Sequence, residues 1–256
     1  MIRRSWWQGG VLLVLIVLPW LIELRPNEID LVSVLQSPSS AHLLGTDENG
    51  RDVLSRMLAG AQLTLGIGAA SALVAIVIGS MLGAAAGSIG GMVDDVIMRA
   101  TDLALALPTL FVILISSSLI RPGITQLILL IGLTGWMPVA RIVRGAAREV
   151  ATRQFVLAAF SYGANRRRIV RYHILPNLRS VIVVTATLQL SRSILTEATI
   201  SYLGVGIQPP DATWGAMLSS AQSYLLIAPW LAIAPGMALS SVLLMIANMT
   251  FVQEQP

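Results

Sequence analysis

Two ionisable side chains within an apolar stretch are the strongest candidates for chemistry in this sequence. Arg192 and Glu197 lie between Val181 and about Leu203. A charge at the centre of a membrane helix costs about 2.5–3.5 kcal/mol, so such residues face protein or water and mark pathways or gates. They are five positions apart, which is not the spacing of stacked helical neighbours, so we do not assume that they pair. The sequence predicts a pathway or gate role for both.

The patterns that an enzyme would need are absent from the sequence. There is no cysteine, which excludes disulfides, thiolate metal sites and cysteine nucleophiles. The zinc-protease, serine-hydrolase and phosphate-binding loop motifs are missing too. The two histidines, His42 and His173, fall on opposite sides of the membrane in the topology below, so no His–His metal site is expected. We predict a non-catalytic chain that binds no metal or cofactor itself and cannot hydrolyse ATP alone.

The composition is that of a polytopic membrane protein. The chain has 256 residues, of which 55% are hydrophobic and 12% charged, and its mean hydropathy is +0.76. Soluble domains carry roughly 25% charged residues. All 17 basic residues are arginine, and they sit between hydrophobic stretches. Membrane topology therefore explains them better than nucleic-acid binding.

Six stretches are apolar and long enough to cross a membrane, which takes about 20 residues. A cleaved signal peptide with a short apolar core at Val11–Leu18 is the alternative for the first stretch. Pro19, Trp20 and Glu23 follow that core rather than a small-x-small cleavage site, which favours a membrane anchor. The predicted spans are Ser5–Ile22, Leu63–Ala86, Leu103–Ile120, Ile124–Ala140, Val181–Leu203 and Pro229–Phe251.

Arginine positions predict the orientation. Arg3 and Arg4 precede the first span, and a second, larger group of arginines lies between the fourth and fifth spans. Four spans separate the two groups, so both fall on one side, which the positive-inside rule makes cytoplasmic. Both termini are then cytoplasmic, and the loops 25–60 and 204–228 face outward. The second group includes Arg141, Arg144, Arg148, Arg153, Arg166, Arg167, Arg168 and Arg171.

These spans predict an all-α membrane protein with two parts. Residues 1–61 would form an N-terminal transmembrane helix and an outer loop. Residues 62–256 would form a five-helix core that carries a cytoplasmic loop at about 152–177, which we call the basic loop.

The basic loop contains the sequence FVLAAFSYGANRRRIVRYHILPN from Phe155 to Asn177. Its pattern predicts a short helix, a turn at Gly163 with positive φ, and a second amphipathic helix. Ala158 and Ala159 are small enough for another protein to approach closely. Pro176 either ends the local helix or begins the next span. The triplet Arg166, Arg167 and Arg168 would pair with an acidic partner or with lipid phosphates; the alternative is that the arginines only set topology.

Two further charge clusters flank the membrane. Asp47, Arg51, Asp52 and Arg56 are spaced for mutual ion pairs on a short helix, where they would shape the membrane rim or dock a partner; a solvated loop is the alternative. Asp94, Asp95, Arg99 and Asp102 are expected to brace the basic loop by meeting its arginines. Trp214, in the second outer loop, is expected to be an interfacial aromatic residue.

Five segments, in order, resemble the C-type permease subunit of the dipeptide/oligopeptide/nickel ABC importer family. The basic loop is similar to that family's coupling loop. The other four segments are HLLGTDENGRDVLSR (His42–Arg56), GGMVDDVIMRATDLALALP (Gly90–Pro108), GWMPVARIVR (Gly135–Arg144) and EATISYLGVGIQPPDATWG (Glu197–Gly215). One departure is that Leu157 stands where the general motif begins with glutamate.

This resemblance implies a type I ABC importer permease fold in the bacterial inner membrane. The chain would form half of a translocation pore with a second, B-type permease. Two ATPase subunits would bind ATP and Mg, and an extracytoplasmic binding protein and membrane lipid would complete the partners, with no nucleic acid. The expected ATPase-coupling residues are Phe155, Ala158, Ala159, Gly163, Arg166, Arg167, Arg168 and Pro176.

The substrate expected from the resemblance is a short peptide. A nickel or metal-chelate importer is the alternative within the family. A membrane enzyme or a passive channel is the alternative from a different class. Co-purification of the chain with an ATPase would argue against both.

Overall fold

The computed structural model of the chain describes residues 24–119 and 123–253, so the first predicted span, Ser5–Ile22, lies outside the described residues. The described part consists of helices and their connecting loops. The α-helices are α1 (Val53–Ile89), α2 (Gly91–Leu105), α3 (Thr109–Leu119), α4 (Ile124–Ala151), α5 (Gln154–Ser161), α6 (Arg166–Ile169), α7 (Arg179–Tyr202), α8 (Trp214–Ala221) and α9 (Trp230–Gln253).

Four helical segments in the described part are long and apolar enough to cross a membrane: α1, α4, the stretch Arg167–Tyr202 that ends in α7, and α9. The pair α2 and α3 makes a fifth if the two helices count as one bent span. Four of the predicted spans thus correspond to continuous helices. Because α1 already begins at Val53, the predicted boundary between residues 61 and 62 falls inside a helix.

The third predicted span, Leu103–Ile120, is wrong as a single continuous helix. The chain leaves the helix after Leu105, and α3 begins at Thr109 with its axis bent by 73° from that of α2. Pro108 causes the break, because proline lacks an N–H and disfavours helical geometry at the preceding residue, Leu107. With 11 residues, α3 is about 16 Å long, too short to cross a bilayer alone.

Helix α4 continues 11 residues beyond the predicted end at Ala140, to Ala151. Pro138 lies inside it and does not end it, which is common in membrane helices because neighbouring groups satisfy the freed carbonyls. The hydropathy pattern marked only the apolar part. Arg141, Arg144 and Arg148, which were expected in a loop, therefore lie on a helix.

Helix α1 packs closely against α4 through three glycines at four-residue spacing, Gly79, Gly83 and Gly87. A Cβ atom at Gly79 would lie 2.6 Å from the Trp136 carbonyl oxygen, and one at Gly87 would lie 2.5 Å from the Arg144 carbonyl oxygen. Small residues at this spacing let helix backbones approach in lipid, where packing rather than hydrophobicity drives association. This contact fixes the base on which the basic loop is built.

Trp214 is a core residue and not an interfacial one, so that prediction is wrong. Its ring is buried, its indole N–H donates to the Met57 carbonyl at 3.0 Å, and its backbone N–H donates to Thr64 Oγ1 at 3.1 Å. The apolar cluster around it joins one end of α1 to α8 and α9. A second cluster, at the opposite end of α1, joins α1 and α4 to the basic loop.

Candidate functional site

The basic loop folds as two short helical pieces joined by a turn at Gly163, as predicted. Gly163 has φ of +80°. Its N–H donates to the Phe160 carbonyl at 2.9 Å, and the Ala164 N–H donates to the Ala159 carbonyl at 3.1 Å. These two bonds form the helix-ending motif in which glycine takes the left-handed conformation. The turn reverses the chain after α5 and directs it back toward the membrane helices.

The second half of the loop is a single turn of α6 followed by two irregular helical turns, Val170–Ile174 and Leu175–Leu178. The Asn165 side chain begins α6 by accepting a hydrogen bond from the Arg168 N–H at 2.9 Å. Pro176 lies in the last turn before α7. Pro176 was predicted either to end the local helix or to begin the next span, and the structure agrees with the second position.

One face of the basic loop is anchored to the membrane helices. Val156 of α5, Ile169 of α6 and Leu178 are buried in one apolar cluster with Val143 and other residues of α4. The Phe155 and His173 rings, whose centroids are 6.4 Å apart, join the two halves of the loop. A movement of the loop as a body would therefore be transmitted to α4 and α7.

The opposite face of α5 is apolar and exposed. Leu157 and Phe160 are exposed there together with the predicted residues Phe155 and Ala158, and Tyr162, directly after the helix, has a side chain that is 91% exposed. Sequence reasoning missed Leu157, Phe160 and Tyr162. Their signal was present, because α5 has apolar residues on both faces and only one face can point into the core.

The remaining predicted loop residues differ in their surroundings. Ala159 is half-buried and packs against the inner cluster, so it is less accessible than its neighbour Ala158. Arg167, Arg168 and Pro176 are exposed. Arg167 and Arg168 form no ion pair with any residue that the structure describes.

The acidic residues of α2 meet arginines of α4 and not those of the basic loop, which corrects the predicted bracing. Asp94 binds Arg144 through both carboxylate oxygens, with Arg144 Nη2 2.6 Å from Oδ2. Asp102 binds Arg141. The reason is the extension of α4, which carries these two arginines past α2 before the loop begins. Asp95 and Arg99 are exposed.

At the other end of α1 lies a group of charged residues that we call the rim cluster: Asp47, Glu48, Arg51, Asp52 and Arg56, with His42. Asp47 is its centre. Its Oδ2 accepts from Arg51 Nε at 2.6 Å and lies 3.4 Å from Arg56 Nε, while its Oδ1 accepts from the Asn49 and Arg51 backbone N–H groups at 2.9 Å. The predicted ion pairs between Asp47 and the two arginines are present, but Asp47 and Arg51 lie in the loop before α1 and Arg56 lies on α1, rather than all on one short helix.

Asp52 does not pair with an arginine, contrary to prediction. It precedes α1 and caps it by accepting from the Ser55 N–H at 2.8 Å. Its other oxygen is 3.0 Å from His42 Nδ1. Helix N-termini attract negative charge, which explains why the Asp52 carboxylate caps α1. The same carboxylate also contacts His42.

A cleft of about 290 Å³, lined by both apolar and polar side chains, separates α7 from α4 and from the break between α2 and α3. Arg192 lines it from α7, Thr134 and Pro138 from α4, and Thr109 and Leu110 from the beginning of α3. The bend at Pro108 opens this space, because a straight helix would not leave α3 angled away from α2. Arg192 thus faces a cavity, as expected for a charge in a membrane helix.

Glu197 lies elsewhere. Its side chain is 0% exposed, and it does not line the cleft. Its Oε1 accepts from the Ser201 hydroxyl at 2.7 Å, and the hydroxyls of Thr64 and Thr213 approach the carboxyl group. Arg192 and Glu197 form no ion pair, and the structure places them in different environments.

Comparison with known proteins identifies the family. Residues 75–253 match the family model for the binding-protein-dependent transport system inner membrane component. The chain is 38% identical to the "Probable D,D-dipeptide transport system permease protein DdpC" of Escherichia coli (strain K12), covering 90% of this chain and 77% of the relative. It is 35% identical to the oligopeptide transport system permease protein OppC of Bacillus subtilis (strain 168), over 87% and 74% of the two chains.

A solved structure supports the fold. A chain of the MetNI methionine ABC transporter, in an inward-facing conformation, superposes with a TM-score of 0.62 at 17% identity and covers 79% of this chain and 98% of its own. At that identity the likeness concerns the fold alone. The family match across most of the sequence and the named relatives show that this chain belongs to the binding-protein-dependent transport system inner membrane components, as a permease of the dipeptide and oligopeptide branch.

Proposed function

We propose that this chain is the permease subunit of an ATP-driven importer for short peptides, forming half of the translocation pore. The exposed apolar face of α5 carries the proposal. Leu157, Phe160 and Tyr162 leave apolar and aromatic surface exposed, near Arg167 and Arg168, which have no ion pair among the described residues. Exposed apolar surfaces mark protein contacts. The occupant that we propose is a separate ATPase subunit. Peptides are the proposed substrate because the relatives are named as peptide permeases.

The proposed coupling is mechanical. ATP binding and hydrolysis on the partner ATPases would move the basic loop, and the buried contacts of Val156, Ile169 and Leu178 with α4 would transmit the movement to the spans. The ATPases alone would hold ATP and Mg. Alternating access then follows from rocking of α4 and α7 against the partner permease. This chain would perform no chemistry.

The proposed pathway is the cleft between α3, α4 and α7, which Arg192 lines. Glu197 is proposed as a lock for the outer gate, since its carboxyl group lies under the beginning of α8 among hydroxyl groups and away from the cleft. The rim cluster, at the same end of the bundle, would shape the surface to which the binding protein docks. Both termini would be cytoplasmic in the bacterial inner membrane, because the arginines of α4 and the basic loop occupy one end of the bundle.

The test is a charge placed on the exposed face of α5. Leu157→Arg is expected to abolish co-purification of the ATPase and peptide uptake, because it puts an unpaired charge into the proposed apolar contact. Leu226→Arg, on the exposed loop before α9, is the matched control and should retain both. If Leu157→Arg retains the ATPase and normal uptake, the coupling role is wrong.

A further inference from the structure

Arg192 lies near the middle of a membrane helix and has no counter-ion among the residues that the structure describes. Helix α7 has 24 residues, from Arg179 to Tyr202. Arg192 therefore lies about 20 Å from its beginning and about 15 Å from its end. The hydrocarbon core of a bilayer is about 30 Å thick, so this position is close to its centre. None of the ion pairs in the described part of the chain includes Arg192.

The cleft in front of Arg192 contains no acidic group to neutralise it. Among the described residues that line the cleft, Arg192 carries the only formal charge. Thr134 and Thr196 donate their hydroxyl protons to the Leu130 and Arg192 carbonyls, each at 2.8 Å. These two hydroxyl groups therefore have no proton left to donate to a ligand in the cleft. The charged donor in the cleft is therefore the guanidinium of Arg192, whose side chain is exposed.

Glu197 does not serve as the missing counter-ion. It lies on a different face of α7, fully buried, with its Oε1 bonded to Ser201. Helical geometry explains the separation, since residues five apart do not stack on one face. The Arg192 guanidinium thus faces the cleft and is not paired with Glu197.

We propose that Arg192 binds the carboxylate of the transported peptide as it passes through the cleft; the identity of the ligand rests on the proposed function. Guanidinium and carboxylate match in a two-bonded, planar geometry that a lysine does not reproduce. A volume of about 290 Å³ is at the lower end for small-molecule sites, which fits the terminal residue of a peptide. One charge without further acidic or basic partners holds a carboxylate briefly, as a passage site requires.

The first measurement reads the electrostatic field of the cleft without needing transport. The chain has no cysteine, so Thr196→Cys, one helical turn from Arg192 on the same cleft, supplies a unique thiol in this subunit. In the assembled complex with cysteine-free partners, a negatively charged thiosulfonate reagent is compared with a positively charged one of similar size. Adding Arg192→Gln should lower the ratio of the two labelling rates at least about tenfold. Arg179→Gln, at the exposed beginning of the same helix, should leave it unchanged.

The second measurement identifies the source of the carboxylate. A dipeptide with a free C-terminus should slow labelling of Thr196→Cys, its C-terminal amide should not, and Arg192→Gln should remove the difference. If Arg192 instead binds an acidic side chain of the second permease, neither peptide protects the thiol, which overturns the proposal. Equal protection by the amide, or a thiol that neither reagent reaches, also overturns it. A failure of the coupling role would appear separately, as normal uptake by Leu157→Arg.

Discussion

The two ends of helix α1 differ in how far the chain satisfies its own charged and apolar groups. At the rim cluster, Asp47 receives four polar contacts within the chain, and Asp52 is shared between His42 and the N-terminus of α1. In the basic loop, Arg167 and Arg168 have no ion pair among the described residues, and Leu157, Phe160 and Tyr162 are exposed. One end is complete within this chain, whereas the other has a surface that a partner would complete.

This difference indicates which region is fixed and which is made for contact. Buried, bonded charges hold one arrangement because any other leaves a group unsatisfied. Exposed apolar groups gain by association instead. We therefore expect mutations in the rim cluster to change stability first, and mutations in the basic loop to change function first.

The largest expected effect is on transport, from the turn of the basic loop. Gly163→Pro should abolish peptide uptake by the assembled complex, because proline cannot adopt φ of +80° and removes the N–H bonded to Phe160. Gly163→Asn is the matched control and should retain much of the uptake, since asparagine tolerates the left-handed conformation. Equal uptake by the proline variant and the natural chain would show that the turn at Gly163 is not needed for transport.

The next effect is on stability, at the opposite end. Asp47→Ala should lower the free energy of unfolding in detergent by about 3 kcal/mol, because it leaves Arg51 and the buried Arg56 without their shared partner. Glu28→Ala breaks only an exposed pair with Arg25 and should change it by about 0–1 kcal/mol. Similar losses in the two variants would show that the rim cluster is not held as described.

A smaller effect on stability is expected between the two ends of α1, where this helix packs against α4. Gly83→Ala should destabilise the protein by about 1–3 kcal/mol, because the new methyl group would meet the Ala140 carbonyl of α4. Gly66→Ala lies on the same helix with nothing within 4 Å of the added atom and should be neutral or slightly stabilising. Thermal unfolding of both variants in detergent measures the contrast, and a destabilised Gly66→Ala with an unaffected Gly83→Ala would contradict the helix contact.

Features that depend on local sequence were predictable. The positive φ at Gly163 and the helices around it follow from a glycine between two amphipathic stretches, and α1, α4, α7 and α9 follow from long apolar runs. The break before α3 had a local signal in Leu107-Pro108, but a hydropathy window averages over a single proline and reads the stretch as one span.

Features that depend on distant contacts were not predictable. Trp214 is buried because its indole reaches Met57, 157 residues away, and no local pattern distinguishes it from an interfacial tryptophan. The partner of Asp94 depended on how far α4 continues, which brought Arg144 rather than the loop arginines into reach. The sequence of α5 has apolar residues on both faces, and only the structure showed which of them is buried, since Val156 points inward.

The most direct test of the contrast between the two ends uses thiol accessibility in a chain that has no cysteine of its own. Leu157→Cys and Leu226→Cys each place one thiol on an exposed side chain, in the basic loop and in the loop before α9. Labelling by a water-soluble maleimide is compared with and without the partner ATPase, in detergent. We predict that the ATPase protects Leu157→Cys strongly and leaves Leu226→Cys unchanged. Equal labelling of Leu157→Cys in both conditions would contradict the proposal that the basic loop is the surface the ATPase completes.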